Sequence, residues 1–342
     1  LAGGLLPIFA TSGALAADGK TQISGRMYFD LTNINQKSDG DKTNASGSNL
    51  DVKRFYIGVD HKFDDMWSVN VTTDFNYMSN DSETQVYLKK AYLQGKFDDA
   101  LVVRVGSADM PWVPFVENIY NYRYVENVLV DRLKFGTSSD WGVHASGTFA
   151  DGILGYAVSV VNGAGYKKLQ RSNSVDFEGR VNATYEGFTI AGGYYNGKLG
   201  QDLANVDTYH KATRWDAMVG YVNDRFRVGG EYFTAKNWQQ ILTVANDKAE
   251  GYSVFGSVDV VDDVSLFGRY DYAKPSKELA PDLKDSYFNL GVAYAPIQGI
   301  KLALAYKYEK VKNGSISVSN GTIGGTRDGK YNEVGLWAEV RF

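Results

Sequence analysis

The chain contains no cysteine, which excludes a disulfide framework and thiolate chemistry. Only three of its 342 residues are histidine. These are His61, His144 and His210, which share no i, i+4 spacing, so no metal site is expected. Basic residues are not in excess: 36 Lys and Arg stand against 40 Asp and Glu, giving a net charge of −4. That balance lacks the positive surplus with which nucleic-acid binders neutralise phosphates, and no nucleic-acid partner is expected. Proline is scarce, at 6 residues. The mean hydropathy is −0.31, and no stretch after the first seventeen residues reads as a transmembrane helix. This does not exclude a membrane, because a barrel strand needs only about 9–11 residues and alternates apolar with polar ones.

What the chain has in quantity is glycine (37), tyrosine (24) and phenylalanine (17), a composition suited to many strands joined by tight turns. Residues Leu1 to Ala17 form an apolar run ending in Ala14-Leu15-Ala16. This pattern predicts a secretory signal peptide over 1–16, removed on export, followed by one domain over 17–342.

From there the sequence breaks into alternating segments separated in turn by short and long connections. The short ones are Phe63-Asp64-Asp65-Met66, Phe97-Asp98-Asp99-Ala100, Ala150-Asp151-Gly152, Glu186-Gly187, Asn223-Asp224, Asp262-Asp263 and Ile297-Gln298-Gly299. Asp, Asn and Gly suit tight hairpins because they tolerate positive φ or bond their own backbone. The long ones cover roughly 34–51, 79–84, 108–138, 163–173, 198–209, 237–250, 274–284 and 313–329. Seven short turns and eight long loops make sixteen strands with both termini at the short-turn end. Short turns on one side and long loops on the other are the asymmetry of outer-membrane barrels.

The strands alternate with period two. In Trp67 to Tyr77 the odd positions are mostly apolar, and Ile300 to Tyr308 sets Ile300, Leu302, Leu304, Tyr306 and Tyr308 against Lys301, Ala303, Ala305 and Lys307. One face therefore meets an apolar medium and the other meets water. Aromatic residues such as Phe63, Trp67, Tyr185, Phe188 and Tyr294 cluster near the turns, where interfacial girdles belong. The polar face carries full charges in strand after strand, including Asp74, Glu178, Glu231 and Asp271. A packed core would need a partner for each ion, whereas a hydrated lumen accepts them. The expected fold is all-β: a sixteen-stranded antiparallel transmembrane barrel with long extracellular loops, short periplasmic turns and a third loop folded inward.

That third loop, 110–135, is far more apolar than the others. Trp112, Phe115, Tyr120, Tyr122 and Tyr124 would form an exposed aromatic patch of a size that marks a buried surface. The reading is a constriction in which Glu117, Arg123, Glu126, Asp131, Arg132 and Lys134 set the local field; the alternatives are a clasp over a neighbouring subunit or a cap on the barrel mouth. On the wall, Arg26, Arg54, Arg104, Arg180, Arg227 and Arg269 are candidate anion guides, since arginine stays charged and presents forked donors.

Several blocks in order resemble the phosphate-selective porin O/P family: Asp51-Val52-Lys53-Arg54-Phe55-Tyr56-Ile57-Gly58-Val59, Ala91-Tyr92, Pro114-Phe115, the region of Arg132, Asp140-Trp141-Gly142-Val143, and Gly155-Tyr156-Ala157-Val158 with Asn162-Gly163. The resemblance covers about residues 50 to 165. It implies a homotrimer of sixteen-stranded barrels in the bacterial outer membrane, in contact with lipid and lipopolysaccharide, whose inward third loop and basic residues guide small anions. The chain departs from that pattern: its loop and lumen mix Glu117, Glu126 and Asp131 with the arginines and carry no dense lysine cluster. The last strand ends on Phe342 and resembles the terminal signature of outer-membrane proteins.

No cofactor and no catalytic residue is expected. Gly324-Gly325-Thr326-Arg327-Asp328-Gly329-Lys330 has phosphate-loop spacing, but Tyr331 stands where Ser or Thr would hold magnesium and a strand follows instead of a helix. The function expected is passive diffusion of small hydrophilic solutes with a moderate anion preference, phosphate or small carboxylates among them. A barrel enzyme of lipase or protease type, for which His144 or His210 beside a serine would serve, and a structural or adhesin barrel remain as alternatives.

Overall fold

The structure is a computed structural model that describes residues 20–77 and 84–342. The expected signal peptide and most of the 79–84 connection lie outside the described residues. Sixteen strands form one sheet: β1 (Lys20–Ser38), β2 (Gly47–Lys62), β3 (Trp67–Tyr77), β4 (Thr84–Lys96), β5 (Val102–Asp109), β6 (Ser139–Phe149), β7 (Leu154–Val161) and β8 (Asp176–Tyr185) make the first half. The second half is β9 (Phe188–Gly197), β10 (Ala212–Val222), β11 (Phe226–Lys236), β12 (Lys248–Val261), β13 (Val264–Lys274), β14 (Lys284–Ile297), β15 (Ile300–Lys312) and β16 (Gly329–Arg341). A two-residue strand, Asp41–Lys42, adds to the tip of β1.

Each strand pairs antiparallel with its neighbours, and β1 pairs with both β2 and β16, so the sheet closes without an edge. Closure gives every strand a neighbour on both sides, as a bilayer demands. The chain enters and leaves at the short-turn end, where the Gly25 amide donates to the Phe342 carbonyl at 2.8 Å and the Phe342 amide returns a bond at 3.0 Å.

Alternation sorts the side chains as the period-two pattern predicts. Val71, Leu302, Leu304, Val228 and Val292 are exposed on the outer wall, while Asn70, Asp74, Arg269 and Lys307 are buried inside. Aromatic residues ring both outer rims. Phe63, Trp67, Phe97, Phe149, Tyr185 and Phe188 mark the short-turn rim, and Trp215, Tyr232, Tyr252, Tyr270 and Tyr306 the other.

The first connection is shorter than the sequence predicts. The 34–51 stretch reads as loop, yet β1 continues to Ser38 and β2 begins at Gly47. Above the apolar band both faces of a strand meet water, so the chain stays paired without showing alternation. The 313–328 connection likewise contains its own hairpin, Ser315–Val318 with Gly321–Gly324.

Candidate functional site

The 110–138 segment leaves β5 and returns to β6 through two short helices, α1 (Val113–Tyr120) and α2 (Leu129–Arg132). Proline falls in the first turn of α1, where its missing N–H costs nothing. The helix ends on Asn121 in the left-handed region at φ 66°. Its apolar residues pack on the inner faces of β11 to β13. The Tyr122 ring stacks on Phe267 at 4.2 Å, Tyr120 meets Phe255 at 5.3 Å and Phe135 meets Phe233 at 5.0 Å.

Polar anchors fix the segment to the same side of the barrel. Trp112 donates its backbone N–H to Glu178 and its indole N–H to Glu231, both at 2.8 Å. Its ring lies over Gly193, where a Cβ would stand 2.7 Å from the indole Cε3. Arg132 donates to three carboxylates on successive strands: Asp271 at 2.9 Å, Asp285 at 2.6 Å and Glu309 at 2.8 Å. Asn289 donates to the Tyr120 hydroxyl at 3.1 Å and Lys301 to Asn121 at 2.9 Å. Above them, the hairpin in the last loop reaches down: Ser319 and Asn320 donate to Glu126 at 2.8 and 2.7 Å, and Lys134 donates to Ser317 at 2.7 Å. Burial pushes the Glu126 carboxyl up, but Lys307 and Lys53 outweigh it and hold it at about 2.

This arrangement divides the expected site residues. Arg132 and Arg269 are sealed against the wall at 0 % and 4 % exposure, and Arg269 is taken up by Asp271 and the Asn127 carbonyl. Neither guanidinium can touch a solute, so the expected field-setting and guiding roles do not suit them. Tyr124 is buried as well. Arg180 donates to the Pro111 carbonyl at 2.8 Å with its guanidinium over the Phe115 ring at 3.9 Å, and Arg227 faces the Asn118 and Ile119 carbonyls. Arg104 is held by Gln94 at 2.8 Å. Arg123 binds Glu117 and lies 3.8 Å from Asp131, while Arg54 pairs with Asp74 at 2.9 Å.

The sequence reading missed two lysine-bearing bulges on the uncovered wall. Tyr28 pairs with Arg54 and Phe29 with Val52, which leaves Lys53 as an extra residue in β2. Thr72 pairs with Lys90 and Thr73 with Leu88, which leaves Lys89 as an extra residue in β4. A bulge re-aims side chains by one position. Outward residues are therefore even before each bulge (Leu50; Val86, Leu88) and odd after it (Ile57, Val59; Leu93). Lys53 with Arg54, and Lys89 with Lys90, consequently all point inward. The basic cluster absent along the sequence is assembled across two strands. The signal was the parity switch between Leu88 and Leu93.

Two cavities flank this wall. The one toward the short turns, about 520 Å³, sets Arg26, Lys89, Lys90 and Arg341 against Asp60, Asp109 and Glu117. The one toward the long loops, about 660 Å³, sets Arg54, Arg123, Lys134, Lys167 and Lys168 against Asp131. Burial, reinforced by Arg54, lowers the Lys167 ammonium to about 8.

Two sequence features resolve into structural roles. His144 lies 2.7 Å from Ser159, but at 3 % and 2 % exposure the pair is closed to any substrate. The glycine-rich 324–330 segment cradles an anion that the chain itself supplies. The Asp39 carboxylate accepts the amides of Thr326, Arg327 and Asp328 at 2.9, 2.8 and 3.1 Å, and the Thr326 hydroxyl at 2.7 Å.

A model of the Gram-negative porin family matches residues 4–336. The chain belongs to the Gram-negative porin family. The porin is a channel of the bacterial outer membrane. The match is to this broader family, not to the phosphate-selective O/P porins. Its fold is shared with the anion-selective porin from Comamonas acidovorans (TM-score 0.68, 13% identity, 95% of this chain and 100% of that one). It is shared also with the outer membrane channel DcaP of Acinetobacter baumannii (TM-score 0.64, 14% identity, 96% and 98% covered). A third similar fold is the trimer form of OmpT from Vibrio cholerae (TM-score 0.61, 16% identity, 95% and 99% covered). No curated protein is significantly similar in sequence.

Proposed function

We propose that this porin passes small hydrophilic solutes by diffusion with a moderate preference for small anions, phosphate or small carboxylates among them. In this reading it works as a homotrimer after loss of residues 1–16. The 110–138 segment fills one side of the lumen and leaves the solute path along β1 to β5. The observation that carries the anion preference is the pair of bulges, which turn Lys53, Arg54, Lys89 and Lys90 toward that path. Charged groups lining a pore decide which ions enter, and the acids Glu117, Asp109 and Asp131 temper the field so that an ion can also leave. The similarity to a porin described as anion-selective and to one described in a trimer form supports the same reading, as do the blocks resembling the O/P family.

The test is the reversal potential of single channels in a planar bilayer under a KCl gradient at low ionic strength, where screening is weakest. An anion-side potential that competing phosphate or small dicarboxylates diminish is the expected result. A cation-side potential for the unaltered channel would overturn the anion reading while leaving the porin intact.

A further inference from the structure

The cavity toward the long loops combines charge with an apolar surface. Arg54 on β2 and Tyr195 on β9 both line it, and these strands stand on far sides of the closed sheet, so the cavity spans the lumen. Against its five basic residues the lining offers the single acid Asp131, whereas the short-turn cavity sets four basic residues against three acids. Facing the basic residues is a ledge from the connections after β9 and β11, where Leu199 and Trp238 are half-buried. Both pack on a small core of Met110, Val161 and Tyr195. The Trp238 ring meets Tyr195 at 5.0 Å and Phe135 at 5.9 Å, and its indole N–H donates to the Lys134 carbonyl at 3.0 Å.

Leu199 sits in a backbone conformation that does not suit it. Its φ of 53° lies in the left-handed region, which leucine seldom adopts and asparagine or glycine adopts readily. The Asp176 carboxylate holds it there by accepting the Lys198 and Leu199 amides, both at 2.7 Å. Nothing in that bonding requires an apolar side chain. What leucine adds is an isobutyl group that packs on the Tyr195 cluster and leaves part of its surface open to the cavity. A small inorganic anion gains nothing from such a surface, because the charges alone serve it. An apolar ledge facing ammonium and guanidinium groups fits a solute that carries both a ring and an anionic group. The volume of about 660 Å³ falls within the range of sites that enclose small organic molecules.

We propose that this cavity is a binding site for aromatic carboxylates, with the carboxylate on Arg54 and Lys167 and the ring on Leu199 and Trp238; the inference rests on the anion preference argued above. Arg54 gives Asp74 one N–H and keeps further donors of its fork for a second carboxylate. The aromatic ring of the solute stacks on the indole and buries its edge against leucine. Acetate reaches the charged residues and leaves the ledge uncovered. The cavity therefore sorts anions by their apolar body, where the bulge lysines act by charge alone.

The test titrates inhibition of the chloride current through the porin in a planar bilayer at pH 7, with benzoate, acetate or benzyl alcohol added on the long-loop side. Benzoate should half-inhibit at a concentration about tenfold below that of acetate, and benzyl alcohol, which has the ring without the charge, should inhibit more weakly than benzoate. Trp238→Ala removes the stacking surface but also frees the Lys134 carbonyl, so Leu199→Asn, which suits the left-handed backbone, is the cleaner variant. In both the benzoate-to-acetate ratio should move toward one. Leu242→Asn, at an exposed site that does not line the cavity, should keep the parent's ratio. Lys167→Gln should weaken both acids. Equal inhibition by benzoate and acetate in the parent, a full ratio retained by Leu199→Asn and Trp238→Ala alike, or benzyl alcohol as potent as benzoate overturns the proposal. An anion-side reversal potential in chloride together with equal inhibition by the two acids overturns this inference alone; a cation-side potential overturns the anion reading with it.

Discussion

The Lys89 ammonium lies 4.6 Å from the centre of the Tyr56 ring and 3.5 Å from its hydroxyl, and it forms no ion pair among the described residues. Lys90, its neighbour in the chain, is neutralised by Asp109 at 2.5 Å. Two adjacent lysines thus face the same lumen with different net effect. A unit charge about 7 Å from a permeating ion is worth about 0.6 kcal/mol in water. Lys89→Met should therefore lower the anion-to-cation permeability ratio about sevenfold, since the anion loses the attraction and the cation loses the repulsion, and Lys90→Met by less, because it removes a charge that Asp109 already balances. Reversal potentials of the two variants check this; equal shifts would mean that the bulge does not single out Lys89.

Lys167 should make the ion preference pH-dependent. Burial first, then repulsion from Arg54, brings its ammonium down to about 8, against the support of Asp74 and Asp131. A lowered lysine is charged below that value and neutral above it, so the cavity toward the long loops loses a positive charge as the pH rises from 7 to 9. Anion preference should fall over that interval, and Lys167→Gln should show the lower preference at pH 7 with little further change. A preference that stays flat to pH 9 in the unaltered channel would refute the assignment.

Arg132 should prove structural. Removing one partner from a buried ion network costs about 3–5 kcal/mol, since the remaining charges lose their compensation. Arg132→Ala leaves Asp285 and Glu309 without their cation, and Asp271 keeps only Arg269. The expected result is a loosened 110–138 segment, read as larger and noisier single-channel conductance together with a lower unfolding temperature in detergent. Arg123→Ala should instead change selectivity and leave stability close to the parent's. If Arg132→Ala shifts only the reversal potential, the guanidinium is reaching the solute path after all.

The strand count and the inward or outward sense of side chains were legible because both depend on local, period-two alternation and on turn residues. Val71 and Asp74 could be assigned opposite fates from their positions alone, provided no bulge came between the reference and the residue. The path of the third loop was not legible to the same degree. Its aromatic residues announced burial, but Arg132 meets Asp271, Asp285 and Glu309 from three separate strands, and nothing local encodes that encounter. Wall charges that alternation assigns to open water, Glu178 and Asp271 among them, turn out to lie in a paired network beneath the loop. The lysine bulges fall between these extremes: the parity switch from Leu88 to Leu93 is written in the sequence, and reading each strand as uninterrupted hides it.

Asp39 couples the first long loop to the last, and acid should release it. The Thr326 hydroxyl and the amides of Arg327 and Thr326 hold its carboxyl at about 2, below the usual 3.8. A carboxylate depressed in the folded state stabilises that state above its unfolded value and loses the contribution as the pH falls toward the folded one. The clasp should therefore be intact at pH 5 and open progressively between about pH 4 and pH 2. Its opening frees the loop whose hairpin tip holds Glu126 and the Arg132 carbonyl. The measurement is amide hydrogen exchange at Thr326, Arg327 and Asp328, each corrected for its intrinsic rate at that pH. Protection should drop across the window in the parent protein. In Asp39→Asn it should already be low at pH 5 and nearly flat below, because the neutral amide offers one acceptor oxygen where the carboxylate offers two. Equal protection of the parent at pH 2 and pH 5 would show that the backbone of 324–330 holds its shape without the charge it encloses.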